Sequence, residues 1–336
     1  MTYEPREIDA PGATLVADRW PGTGATIALL HAGVCDRRSW RDVGAQLGAA
    51  GRDVVAYDRR GFGDVPPSGE AFRHVDDLLA VLDAVTPDAP AWLVGSSMGG
   101  GVALDAALEA PGRIAGLVLL APAVSGDPEL DEDAIIAATN GLAEAIDAAW
   151  TSGHADECNR LEVQLWLDGP TEPEGRVSGP ARELALDMNR IVIANGEPEA
   201  DGSSGLDAAS RLHEIAIPSV VACGDLDITL KVQRSRELAA ALPSARYRSL
   251  SGRAHLPYLE SPDEISALIL AEIGLGNTRR CRPSPDVASE HGCAMGDRRG
   301  RCRSTRAGIR PCEGRLADVW AGHDELAEWR AGGTGA

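Results

Sequence analysis

A serine hydroxyl becomes a nucleophile only when a base can take its proton and a third group orients that base. The stretch Val94-Gly-Ser-Ser-Met-Gly-Gly100 places two serines among glycines. An apolar run, Ala91-Trp-Leu-Val94, precedes it, and an Ala/Leu-rich helical pattern closed by Pro111 follows. The serines therefore fall on a sharp strand-to-helix turn, the setting of a G-x-S-x-G elbow. Only one register fits: Gly95 and Gly99 flank Ser97, whereas Val94 and Met98 would flank Ser96. Ser97 is the candidate nucleophile. An ordinary Gly/Ser turn, or an anion loop at a helix start, is the competing reading.

With such an elbow, the acid and then the histidine follow the serine along the chain. Of seven histidines, His31 and His74 precede it, His154 and His213 lie in or at the end of an acidic helical stretch, and His291 and His323 lie in an unusual tail. His255 remains, in Ser251-Gly-Arg-Ala-His-Leu-Pro257, between the last strand-like and last helical segments. The acid should follow the penultimate strand, where Cys223-Gly-Asp-Leu-Asp227 offers two. Asp227, further round the turn, is favoured; Asp225 then reads as a turn or N-cap aspartate. A buried aspartate would hold His255 in the productive tautomer and stabilise its imidazolium. An oxyanion hole needs two backbone N–H groups. Met98 supplies one, and the loop His31-Ala-Gly-Val-Cys-Asp36 the other, Gly33 before Val34. His31 would brace that loop.

The elements that must position these groups alternate from about residue 25. Ile27–Leu30, Val54–Tyr57, Trp92–Val94, Ile114–Leu120, Pro218–Cys223 and Tyr247–Leu250 read as strands. Asp36–Ala50 (Asp36 as N-cap), Ala71–Val85, Ser235–Leu242 and Glu264–Ile273 read as helices. Alternating strands and helices imply an α/β fold, a mostly parallel sheet covered on both faces. Residues 123–212 break the pattern: they are acidic, helix-biased and without a convincing strand. They read as a helical cap inserted into a core formed by 1–122 and 213–276. The tail, 277–336, carries 11 arginines against 8 acids and four of the seven cysteines. It is expected to be disordered or non-native, with only Leu316–Trp329 suited to a helix.

The formal net charge of −19 argues against nucleic acid or anionic membranes as partners. No run of 18 apolar residues suggests a membrane span, and the polar N-terminus lacks the apolar stretch of a signal peptide, so a cytoplasmic setting is expected. No C-x-x-C or H-E-x-x-H spacing occurs, and the single lysine, Lys231, follows Leu230 rather than a glycine. Zinc and P-loop nucleotide sites therefore find no support, and no cofactor is expected.

Taken together, "LLHAGVCDRRSW", "VVAYDRRGFGD", "LVGSSMGGGVALDAAL", "CGDLD" and "GRAHLPYLESPDE" resemble the α/β-hydrolase superfamily, in that family's order, over residues 25–274. Within it the opening and the short cap look like the enol-lactonase and small-ester-hydrolase branch. The chain departs from the family pattern at His31-Ala32, usually His-Gly, and at Gly63-Asp64-Val65, usually Gly-x-Ser. The resemblance implies hydrolysis of an ester, lactone or similar small acyl substrate by Ser97, His255 and Asp227. Carbon–carbon bond hydrolysis, perhydrolysis, or ligand binding without turnover on the same fold are the alternatives. The cap would line the pocket, with Trp150, Leu165, Trp166 and Met188 beside Val34 as candidates. The competing reading for the four cap residues is packing within the cap.

Overall fold

The computed structural model describes residues 2–128, 132–196, 200 and 202–280. Sequence reasoning about the cysteines, histidines and helix beyond residue 280 falls outside the described residues.

The chain opens with a hairpin, β1 (Glu4–Ala10) and β2 (Ala13–Trp20), which the sequence reading did not anticipate. Pro11-Gly12 makes its turn, with Gly12 at φ 75°. β3 (Thr26–Leu30), α1 (Arg41–Ala49), β4 (Asp53–Tyr57), α2 (His74–Val85), β5 (Ala91–Ser96), α3 (Met98–Glu109) and β6 (Ile114–Leu120) follow. Asp36 caps as expected, accepting the Arg38 N–H at 2.9 Å. It starts a short 3₁₀ turn, Arg37–Trp40, that leads into α1. Then come α4 (Glu132–Ala138), α5 (Leu142–Thr151), α6 (Ala155–Val163), a π-helical turn Gln164–Asp168, α7 (Pro180–Asn195) and α8 (Ala208–Arg211). The chain closes with β7 (Ser219–Gly224), α9 (Thr229–Ala241), β8 (Ala245–Leu250), α10 (Pro257–Glu260) and α11 (Pro262–Arg280). α11 thus runs four residues past the expected end of the core.

Among the described residues, eight strands form one sheet in the order β1-β2-β4-β3-β5-β6-β7-β8. β2 pairs antiparallel with β1 and β4; every pairing from β4 to β8 is parallel. Central strands buried on both faces read as continuous apolar runs, which is why β3, β5 and β6 were visible in the sequence. Alternate side chains divide between two cores. Ile27, Leu29, Val94, Val118 and Leu120 join one, and Ala28, Leu30, Leu93, Leu117 and Leu119 the other. The first core continues without a break into Ile146, Leu165, Trp166 and Met188 of the inserted helices. Parallel pairing brings the carboxyl ends of β3, β5, β7 and β8 to one edge, where ligand sites form in open α/β sheets.

Candidate active site

Ser97 stands between β5 and α3 with φ 49° and ψ −119°, a conformation that side chains rarely adopt. Its carbonyl accepts N–H groups from Gly100 (2.8 Å) and Ala123 (3.0 Å), and its own N–H donates to the Leu120 carbonyl at 2.9 Å. The corner is therefore held from both sides. A Cβ on Gly95 would overlap the Gly99 carbonyl, and one on Gly99 the Leu30 carbonyl. Both flanking glycines are needed for close approach rather than for flexibility.

Asp227 and His255 are buried and meet directly, with Oδ2 2.8 Å from Nδ1. Asp227 Oδ1 accepts the Ile228 N–H at 2.7 Å, and the Cys223 thiol donates to Oδ2 at 3.5 Å. Burial pushes that thiol's pKa up, so it stays a neutral donor. Asp225 is exposed and accepts the Gly252 N–H at 2.6 Å, a turn role. The Leu226 N–H also donates to the Arg253 carbonyl at 2.9 Å, fastening the acid loop to the histidine loop.

The inserted segment grips the histidine loop from the other side. The Trp166 carbonyl accepts the His255 N–H at 3.2 Å, and the two rings lie 4.7 Å apart at 47°. Arg176 donates to the carbonyls of Leu167 (2.8 Å), Asp168 (2.7 Å) and Gly252 (3.2 Å) and pairs with Glu260 at 2.8 Å. Glu260 in turn accepts the N–H of Ala254, next to His255, at 2.7 Å. Sequence reasoning missed Arg176, Glu260 and Cys223 as contributors, although Cys223 and Glu260 lay within recognised motifs; Arg176, in the inserted segment, lay near none.

The loop after β3 is braced from below. His31 Nε2 accepts the Arg59 N–H at 3.2 Å, which sets the tautomer: Nδ1 carries the proton and donates to the Ala32 carbonyl at 2.8 Å. Burial, then the Arg59 charge, lowers the His31 pKa well below its ordinary value, keeping it neutral. The unusual Asp64 has a partner too. Arg37 bridges Asp64 (2.7 Å), Asp18 (3.1 Å) and Asp58. Asp64, in the turn that departs from the family pattern, thus joins the buried Arg37–Asp18–Asp58 network from a largely exposed position.

Val34, Leu165, Trp166 and Met188 are buried members of the first core, and Trp150 packs against it. Of these, Trp166 reaches His255. Phe62, Met98 and Val192 form a separate small cluster that joins the elbow to α7. Trp40 is core, stacked on Tyr258 at 4.0 Å and 17°. The structure thus joins Asp227 to His255 and brings Ser97 to the same sheet edge. Among the described residues no hydrogen bond links Ser97 Oγ to the imidazole. No group of three or more His, Cys, Asp or Glu among them could hold a metal, and no described helix is long and apolar enough to cross a membrane.

A family model described as the alpha/beta hydrolase fold matches residues 25–262. The chain belongs to the alpha/beta hydrolase fold family. Similar curated proteins include a pimeloyl-[acyl-carrier protein] methyl ester esterase of Neisseria meningitidis, 26% identical over 84% of this chain and 92% of the relative. A proline iminopeptidase of Heyndrickxia coagulans is 24% identical over 78% of this chain and 96% of the relative. Among solved structures, the enol-lactonase from Burkholderia xenovorans superposes with a TM-score of 0.60 at 22% identity, over 80% of this chain and all of that one. A Rhodococcus esterase superposes at 0.62 and 24%, over 80% and 98%. At these identities the structural likenesses speak to the α/β-hydrolase fold alone.

Proposed function

We propose that this α/β-fold hydrolase is a serine hydrolase that cleaves a small ester, lactone or similar acyl substrate. The observation that carries the reading is the buried Asp227–His255 pair, 2.8 Å apart, on the sheet edge that also presents Ser97 from its strained elbow. Asp227 holds the proton on His255 Nδ1, leaving Nε2 to take the Ser97 proton as Oγ attacks the carbonyl. The N–H groups of Met98 and Gly33 hold the oxyanion; each such donor is typically worth about 10²–10³ in rate. His255 then protonates the leaving group and activates a water that attacks the acyl carbonyl; the bond to Ser97 Oγ breaks, the carboxylic acid leaves and the serine recovers its proton. The esterase and enol-lactonase activities named for similar proteins support a carboxylic ester or lactone. In this reading residues 123–212 act as the cap over a core of 1–122 and 213–276, and Trp166 and Val34 border the acyl site.

The test is a fluorophosphonate probe followed by peptide mapping. Label on Ser97 that disappears in His255→Ala is the expected result. Folded protein without label on Ser97, or label that persists in His255→Ala, overturns the assignment.

A further inference from the structure

Arg59 is fully buried beneath the loop after β3. Its Nη2 donates to the Ala32 carbonyl at 3.2 Å, and that same oxygen also accepts from His31 Nδ1 (2.8 Å) and the Cys35 N–H (3.2 Å). The Ala32 carbonyl and the Gly33 N–H belong to one planar, conjugated peptide unit. Donors drawing charge onto the carbonyl oxygen make the N–H at the other end a stronger donor, and such chains reinforce one another in a low-dielectric interior.

We infer that Arg59 is a positioning residue that strengthens and aims the Gly33 N–H toward a developing oxyanion, acting through the Ala32–Gly33 peptide. The inference rests on the reading of Ser97 and Gly33 given above.

The arrangement is costly for folding. Among the described residues, neither Arg59 Nε nor Nη1 has a hydrogen-bond partner, and both are buried. The Phe62 ring, 4.8 Å from the guanidinium carbon, offers partial relief. Replacing a buried charge by an apolar side chain of similar volume is often neutral or stabilising. Departures from the most stable solution concentrate at functional sites. The charge itself persists at neutral pH: burial lowers the Arg59 pKa only to about 10. Nearby Cys35 is held neutral by burial, which raises its pKa to about 12, and Asp58 is engaged by Arg37. The guanidinium thus faces the Ala32 carbonyl, with its Nη2 also 3.1 Å from His31 Nδ1, which itself donates to that carbonyl.

The experiment uses the full chain as wild type, Arg59→Met and Arg59→Lys. Three quantities are read: kcat and KM on a p-nitrophenyl ester, the infrared carbonyl stretch of the acyl-enzyme trapped on Ser97, and the midpoint of thermal unfolding. Arg59→Met should melt no lower than wild type while kcat/KM falls about tenfold, mainly in kcat, a fraction of what loss of a whole donor costs. Its acyl carbonyl stretch should move to higher frequency, reporting weaker donation to the oxygen, and Arg59→Lys should recover part of both losses. Arg59→Gln, which keeps a donor without the charge, is read in the same way should Arg59→Met not fold. A folded neutral variant with the wild-type stretch and kcat overturns the inference, as does a loss confined to KM. Should wild type form no acyl-enzyme on Ser97, the hydrolase reading falls, and the inference with it.

Discussion

The Arg176–Glu260 pair is where the inserted segment holds the histidine loop, and Arg176→Met tests whether that grip matters. The guanidinium is 18% exposed and the Glu260 carboxylate 3%. Removing one partner of a buried pair typically costs about 3–5 kcal/mol, because a desolvated charge is left behind. Glu260 keeps the Ala254 N–H, and a hydrogen bond to a charged group is worth about 1.5–3 kcal/mol, so the loss should sit near the lower end. Adding Glu260→Gln removes the stranded charge and should return about 2 kcal/mol. The pH dependence has a definite sign. Burial raises the Glu260 pKa above the ordinary 4.5, and Arg176 opposes that rise. Without Arg176 it rises further. Between the unfolded and folded values the native state binds more protons, so stability falls as pH rises through that window. Arg176→Met should therefore be destabilised more at pH 8 than at pH 5, as read from denaturant unfolding at both. Loss of the Arg176 bonds that tie the inserted segment to Gly252 and Glu260 loosens the histidine loop and should lower kcat at least tenfold, since small misplacements of reacting groups can cost about 10². A loss below about 1 kcal/mol at pH 8, with no difference between the two pH values, would show that the pair is not the clamp described.

Two further outcomes bear on the site itself. Asp227→Asn should lower kcat by about 10⁴ through the wrong imidazole tautomer, while Asp225→Asn, at an exposed turn, should leave kcat within a few-fold of wild type; equal losses in steady-state rates would reverse the assignment of the acid. Ser97→Gly should be more stable than Ser97→Ala by about 1 kcal/mol in chemical denaturation, because glycine relieves the strain at φ 49°; equal stabilities would mean that the elbow is not strained.

Local sequence was most informative where one interaction dominates. The central strands are buried on both faces, so their apolar runs stand out. The elbow is dictated by backbone crowding, which Gly95 and Gly99 advertise. The hairpin β1–β2 was missed because its strands are partly exposed, and its buried Asp18 reads as a surface residue until Arg37 and Arg41 are seen against it. Helix α2 begins at His74 rather than Ala71, where the His74 N–H bonds the carbonyl of Gly202, a partner far along the chain that apolar spacing does not reveal. The segment Gly63-Asp64-Val65 departs from a familiar turn, and the partner of Asp64, Arg37, lies on another loop.

The sequence alone determined the α/β class, the serine that can occupy the elbow and the histidine that can follow the last strand. Each rests on residue types and spacings within a few positions, which chain geometry translates directly into structure. The folded protein decided what surrounds them: Asp227 2.8 Å from His255 while Asp225 faces a turn, Trp166 and Arg176 on the histidine loop, and Arg59 under the peptide that ends in the Gly33 N–H. Those relations join residues far apart in the chain. Their energy comes from desolvation and charge at close range, and neither exists until the sheet, the inserted helices and the loops have closed together.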